Sequence, residues 1–350
     1  MKFFFRVVLC VCFASHLPLA GLSGQNTKHE KFSIVFYNVE NLFDPSDDPG
    51  KNDSEFTPSG KNHWTISRLN KKVMMVYRAI ISASDGQYPD IIGLVEIENL
   101  WVLEYLIKKT PLLEGNYGII HKESPDMRGI DVALLYRKGR IVPLDYNFIP
   151  VPGNSNAGFS SRDILEFKAG LNGETLHFFV NHWPSRSGGY IETQGKRNLA
   201  AGILRHTIDS IQTKQPLSKI LLMGDFNATP EEVCFVKILD ATMQPHEKRP
   251  TQLINLSQFW QKRGTGTIRS RGQWEIFDQF ICTYNLLNDN GLTILPSEVS
   301  ICTAEFLLET DNRYLGKKPF RTYLGPVYHG GVSDHLPICT VLRERVPKVR

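Results

Sequence analysis

Short apolar runs that stop abruptly at a polar side chain recur along this sequence, separated by stretches with helical spacing. Phe32–Tyr37 (FSIVFY) reads as a first strand and runs into Asn38, Val39, Glu40 and Asn41. Asp44–His63, rich in Asp, Pro, Gly and Asn, reads as a loop. From Trp64 the apolar positions Ile66, Leu69, Val73, Tyr77 and Ile80 step by three and four, which predicts an amphipathic helix. Ile91–Val95 (IIGLV) is a fully apolar strand ending at Glu96 and Glu98, and Asn99 caps a helix to about Lys109. Tyr117–His121 and Asp131–Arg137 are short strands, and Pro150–Arg162 is a loop of Pro, Gly, Asn and Ser. Leu176–Val180 (LHFFV) leads into Asn181, His182, Trp183 and Pro184, with a helix near Arg197–Thr213.

The pattern centres on Lys219–Pro230, KILLMGDFNATP, where a buried strand breaks at Gly224 into Asp225, Phe226 and Asn227. Later pieces are Glu275–Cys282 (EIFDQFIC) and Leu336–Val341, the latter preceded by Ser333, Asp334 and His335. Strands separated by helices predict an α/β layered domain. No biased linker divides the chain, so one domain is expected over residues 25–350.

Composition adds little to that picture: 350 residues, 41% hydrophobic and 22% charged, are ordinary for a globular chain. The first residues change it more. Lys2 and Arg6, the apolar run Val7–Ala14 and the small residues Ala20, Gly21, Ser23 and Gly24 read as a signal peptide over residues 1–24. The run is too short to span a bilayer, so an exported protein, periplasmic or secreted and not integral to the membrane, is expected. Losing Lys2 and Arg6 brings the formal charge from +4 to +2, without the strong basic excess that captures nucleic acid broadly. The remaining cysteines, Cys234, Cys282, Cys302 and Cys339, allow three full pairings, with Cys282–Cys302 one possibility and buried free thiols another.

Six segments place a polar group where an apolar strand meets a loop: Asn38, Glu96, His182, Asp225 with Asn227, Asp278, and Asp334 with His335. Open α/β sheets build sites along such an edge. Glu96 after five apolar residues, and Asp278 inside IFDQFI, are poorly explained as solvated charges, because a buried carboxylate needs a partner. Carboxylates and amides at strand ends suit a hard divalent cation or a water that attacks phosphorus. An imidazole oriented by a buried carboxylate can be held cationic and donate to phosphate.

FYNVENLFD, LVEIEN, VNHWP, LLMGDFN, IFDQF and VSDHLP stand in the order found in the endonuclease/exonuclease/phosphatase superfamily, which this chain resembles from about Phe32 to Leu342. The resemblance implies a four-layer αββα sandwich, two mixed β-sheets face to face with helices outside, and Mg²⁺ (or Mn²⁺ or Ca²⁺). By position it makes Glu96 the main metal ligand with Asn38 beside it and Asp334 nearby. Asp225, helped by Asn227, would orient or deprotonate water. His335, held by Asp278, would stabilise the phosphoryl oxygens, with His182 on the opposite flank.

Arg128, Arg186 and Arg321 are the candidate substrate arginines, since guanidinium matches phosphate geometry. Lys317 and Lys318 extend the last of these into a small basic stretch. Trp183, Trp274, Tyr323 and Tyr328 are candidates for stacking on a base. The expected activity is therefore metal-dependent phosphodiester hydrolysis, with nucleic acid as first substrate class. A small or lipid phosphate ester is the alternative, and a non-catalytic binding protein on the same scaffold a minor one. No stable protein partner is implied, and a monomer is expected.

Overall fold

A computed structural model of the protein describes residues 30–152, 161–243, 251–288 and 291–345. The expected leader lies outside them, as does most of the loop expected from Pro150 to Arg162. The strands run β1 Lys31–Leu42, β2 Ile91–Ile97, β3 Tyr117–His121, β4 Asp131–Arg137, β5 Val142–Ile149, β6 Ile164–Leu171 and β7 Glu174–His182. They continue with β8 Lys219–Asp225, β9 Ala241–Thr242, β10 Leu253–Asn255, β11 Ile268–Ser270, β12 Gln273–Glu275 and β13 Asp278–Thr283. The last are β14 Gly291–Ile294, β15 Ser300–Ile301, β16 Leu308–Thr310, β17 Lys317–Pro319, β18 Tyr323–Leu324, β19 Val327–Tyr328 and β20 Ile338–Arg345. Among the described residues three α-helices accompany them: α1 Ile66–Ala83, α2 Leu100–Lys108 and α3 Tyr190–Lys214.

Two mixed sheets carry the fold. One has the order β14-β20-β1-β2-β4-β3, with β15 added to β20; the other has β5-β6-β7-β8-β13-β10-β9. The inner faces pack Ile34, Phe36, Ile91, Val95 and Leu134 against Phe167, Phe178, Val180, Leu221, Met223 and Phe280. Outside the first sheet, Leu69, Val73, Val76 and Ile80 of α1 and Val102, Leu103 and Leu106 of α2 cover Tyr37, Ile92 and Leu94. Outside the second, Ala200, Leu204 and Ile208 of α3 cover Phe179, Ile220 and Leu222. The molecule is the αββα sandwich the motifs imply.

Burial on both faces explains why IIGLV and ILLM lack the polar alternation of a half-solvated strand. Ile91 and Val95 point inward while Ile92 and Leu94 meet the helices. Gly93, also inward, admits the Met223 side chain from the opposite sheet: a Cβ there would lie 3.0 Å from its sulfur. Helix α2 begins as expected, with the Asn99 side chain accepting from the Val102 backbone N–H.

Several elements differ from the sequence reading. Strand β1 continues past Tyr37 and pairs through Asn38, and a register shift separates that residue from Leu42. Helix α3 starts at Tyr190 rather than Arg197, because Arg197 is a buried helical residue and not an exposed start. Strands β5 and β6 went unrecognised. β5 is an edge strand of alternating apolar and polar residues interrupted by Pro143, with none of the apolar continuity that marks its neighbours. Cys234, Cys282, Cys302 and Cys339 are free thiols, so the Cys282–Cys302 pairing is not formed.

Candidate active site

The same two-residue alternation that builds the inner core delivers the polar groups to it. Ile34 and Phe36 point inward on β1, and Asn38 is the next member of that row. On β7 the row is Leu176, Phe178, Val180 and then His182; on β8 it is Leu221, Met223 and then Asp225. Asp278 opens β13 ahead of Phe280 and Cys282 in the same phase. Registry completes the arrangement, because His182 and Asp278 both lie directly beside Asp225 on the neighbouring strands. Glu96 breaks phase. It follows inward Val95, but its φ of 63° is left-handed and coincides with a bulge between Val95 and Ile97.

These groups meet in the seam between the two sheets. Asn38 Nδ2 donates to Asp225 Oδ2 at 3.0 Å and, more distantly at 3.4 Å, to Glu96 Oε1. The other Glu96 oxygen accepts from the Asn41 backbone N–H at 2.9 Å. His182 Nε2 lies 3.7 Å from Asp225 Oδ2 and 3.9 Å from Glu96 Oε1. Asn227, at φ 50°, donates its backbone N–H to Asp225 Oδ1 and its side-chain amide to Trp183 O.

His335 enters from the turn before β20. Ser333 Oγ accepts from His335 N at 3.0 Å and donates to Asn38 O at 2.7 Å, pinning that turn to β1. The imidazole Nδ1 stands 2.7 Å from Asp278 Oδ2, and Nε2 stands 3.7 Å from Asp225 Oδ2. Asp278, itself fully buried, donates its backbone N–H to Thr267 Oγ1 and leaves Oδ1 without a hydrogen-bond partner.

Charge follows from these contacts. Burial opposes the cationic form of His335, but Asp278 and Asp225 outweigh it and hold the imidazole well above its ordinary value. Burial pushes the Asp225 carboxyl up to about 6, against the pull of His335. His182 goes the other way: burial, then the Arg162 and Arg128 guanidinium groups, hold it well below the ordinary range, hence neutral. The site therefore contains one imidazolium, one neutral imidazole and a carboxylate able to accept a proton near neutral pH.

The donor set fits a divalent ion. Neither Glu96 nor Asp225 has a lysine or arginine partner among the described residues, and Glu96 Oε1 has only the long Asn38 contact. Glu96 is also the more open of the two, with its side chain 14% exposed against 2% for Asp225. Hard oxygen donors without a lysine or arginine partner, at the solvent side of the seam, suit Mg²⁺ or a similar ion. Asp225, Asp278 and His335 also bring possible ligand atoms close together, but His335 Nδ1 is already committed to Asp278 at 2.7 Å and its Nε2 stands 3.7 Å from Asp225, so that trio is an oriented imidazole facing a carboxylate.

Asp334 lies in a charge cluster beside the site. It pairs with Arg321 at 3.1 Å, and Arg321 also holds Glu40 at 2.7 Å. Arg186 reaches the edge of the site, donating from Nε to Asn227 O, but its guanidinium is held by Glu232 at 2.6 Å and Glu275 at 3.0 Å. Lys317 and Lys318 pair with Glu305 and Glu309. Arg128 does reach the site, donating to Asn41 Oδ1 at 2.9 Å from an exposed position. Trp183 is packed against Phe226 and Phe235, and Tyr323 is buried, so neither offers a face to a base; Trp274 and Tyr328 are half-buried.

Two residues escaped the sequence reading. Buried Lys72 of α1 donates to Glu40 O, Thr322 Oγ1 and Val332 O, tying β1 to the segment that carries His335. Glu40, its neighbour, accepts from Arg321 and from Thr322 N, and burial pushes its carboxyl up to about 7. The signal was present: Lys72 stands three residues after Leu69 and beside Val73, on the apolar face of its helix.

No curated protein sequence matches the chain. Solved structures do. Humanized TDP2 of D. rerio superposes with a TM-score of 0.55 at 16% identity, over 89% of this chain and 98% of that one. A Bacteroides thetaiotaomicron endonuclease/exonuclease/phosphatase family protein gives 0.55 at 13% identity, over 90% and 96%. The mannosyl-6-phosphatase of the same bacterium gives 0.54 at 13%, over 89% and 99%. These likenesses establish the fold. The sequence profile described as endonuclease/exonuclease/phosphatase family matches residues 33–344, and members of that family are divalent-metal-dependent phosphoesterases. The chain belongs to the endonuclease/exonuclease/phosphatase family.

Proposed function

We propose that the protein hydrolyses a phosphate ester by direct attack of water, with the seam between the sheets as its active site. The observation that carries this reading is the His335–Asp278 pair at 2.7 Å, facing Asp225 at 3.7 Å and opposite Glu96 and Asn38. Glu96 and Asn38 would hold the divalent ion, which when bound neutralises phosphoryl oxygens and polarises phosphorus. Asp225, poised near 6, takes a proton from the attacking water. His335, charged and aimed by Asp278, donates from Nε2 to the phosphoryl oxygens as negative charge grows. The P–O bond to the leaving group breaks, and that alkoxide recovers a proton to leave as an alcohol. Neutral His182 flanks Asp225 and adds no repulsion to an approaching cation.

Among substrates, the ion pairs favour a single phosphate over a long polyanion. Arg186, Arg321, Lys317 and Lys318 each have carboxylate partners, and Arg128 alone of the candidate arginines has none among the described residues. A nucleic-acid groove needs unpaired cations along the backbone path. A D. rerio TDP2 structure holds a single-strand DNA product on this fold, so nucleic acid stays in the test panel. We read residues 1–24 as a leader, placing the activity outside the cytoplasm; the N-terminal sequence of the mature protein checks that.

The test is hydrolysis by purified protein with Mg²⁺, Mn²⁺ or Ca²⁺ against plasmid DNA, single-stranded RNA, nitrophenyl phosphates, sphingomyelin and inositol phosphates. Chelator should abolish turnover without altering the circular dichroism spectrum. Asp225→Asn should lower turnover on every substrate by roughly 10²–10⁴. Wild-type-like turnover in that variant would overturn the assignment.

A further inference from the structure

A cleft of about 720 Å³ opens beside the reacting cluster. Its walls are continuous with the site: Arg186, on one side, donates from Nε to Asn227 O at 3.1 Å, and Thr229 follows two residues later. On the other side Glu275 and Ile276 directly precede Phe277 and Asp278. The hairpin β11–β12, which supplies Trp274 and Glu275, bridges at Ile268 to the backbone of His335. A molecule whose phosphate sits in the seam has this cleft as a neighbour for the rest of its structure.

Its chemistry is unusual beside a phosphate site. Glu231, Glu232 and Glu275 line it against one cation, Arg186, whose guanidinium two of them already neutralise. Glu232 lines the cleft while only 8% exposed, and its Oε2 has no hydrogen-bond donor, the Arg197 guanidinium standing 3.9 Å away. Tyr190 and Trp274 add aromatic walls. Each ring already has a guanidinium beside it, Arg186 at 5.4 Å from Tyr190 and Arg269 at 5.9 Å from Trp274.

We propose that this cleft receives the non-phosphate part of the substrate and selects a neutral, hydroxyl-rich group, a sugar ring. The inference rests on the phosphoesterase reading above. A second phosphate would face an acidic wall, and like charges at contact are strongly disfavoured. A quaternary ammonium at these rings would meet the Arg186 and Arg269 guanidinium groups beside them, and like charges repel. An acyl chain would desolvate carboxylates without pairing them. Carboxylate oxygens only accept, so the ligand must donate, and sugar hydroxyls do. The C–H face of the same ring packs on an aromatic wall. The volume lies within the roughly 300–1,000 Å³ of small-molecule sites.

The experiment compares kcat/KM for monoesters, and for the matched p-nitrophenyl diesters, carrying a hexose, a nucleoside, choline or p-nitrophenol alone. Wild type should prefer the hexose esters by at least about tenfold. Trp274→Ala and, independently, Glu231→Gln should each shrink that preference severalfold through a higher KM. Preference for the nucleoside or choline ester overturns the proposal, as does a hexose preference that both variants leave intact. Equal turnover of all esters also overturns it while the hydrolase reading stands. Silence on every ester with Mg²⁺, Mn²⁺ and Ca²⁺ removes the hydrolase reading and the proposal with it.

Discussion

At the scale of single residues, the site is a set of inward-facing core positions where the side chain has become polar. That substitution fixes the electrostatics. His335 is cationic because Asp278 lies buried against its Nδ1, and a raised imidazole value means that the charged form persists below it and is lost only as pH rises through it. Asp278→Asn removes the largest support for that charge. The alkaline limb of the kcat/KM profile should therefore move to lower pH, with reduced turnover on both sides of it. A profile of unchanged shape would show that His335 does not act as a cation. Most of these residues were legible before any coordinates, because a carboxylate inside IFDQFI or after IIGLV has no solvated explanation. Asp334 is harder to place from sequence: its neighbour His335 turns into the seam, while Asp334 pairs with Arg321.

At the scale of elements, the buried strands were readable and the amphipathic ones less so. Runs such as IIGLV and KILLMG announce a strand covered on both faces; β5, solvated and interrupted by Pro143, does not. Helix α1 is legible from its apolar spacing, which says nothing of the partners of the lysine on its inner face. Lys72 donates three hydrogen bonds to β1, to the β18 strand's Thr322 neighbourhood and to Val332, so it fastens the helix layer to both arms of the site. Lys72→Met keeps the volume and takes a donor from three acceptors, of which Val332 O keeps Thr322 Oγ1. It should cost on the order of 3–5 kcal/mol in urea unfolding, and the surviving folded protein should lose turnover by a larger factor than it changes KM. An equal stability to the parent would mean that water replaces the ammonium.

At the scale of the molecule, the thiols report how completely the sandwich closes. Burial pushes Cys234 up to about 12 and Cys339 up to about 11, and raises Cys282 as well. Thiol reagents attack the thiolate, so these three should be nearly silent near pH 8 and become reactive only as pH climbs toward those values or the fold opens. Kinetics with a chromogenic disulfide, in buffer and in denaturant, check this. Rapid native labelling of Cys282 would contradict the packing of the inner seam.

The pin between Ser333 and the Asn38 carbonyl joins positions 295 residues apart. Contacts of that span form late, after the entropy of closing the long loop has been overcome. A refolding chain can regain helix and most of both sheets while His335 remains away from Asp225. Recovery of turnover should therefore trail recovery of the far-ultraviolet signal, and a protein opened only at β20 should be well ordered but inert. The chemistry thus keeps time with the last strand to dock, so a partly folded chain meets its phosphate esters without cutting them.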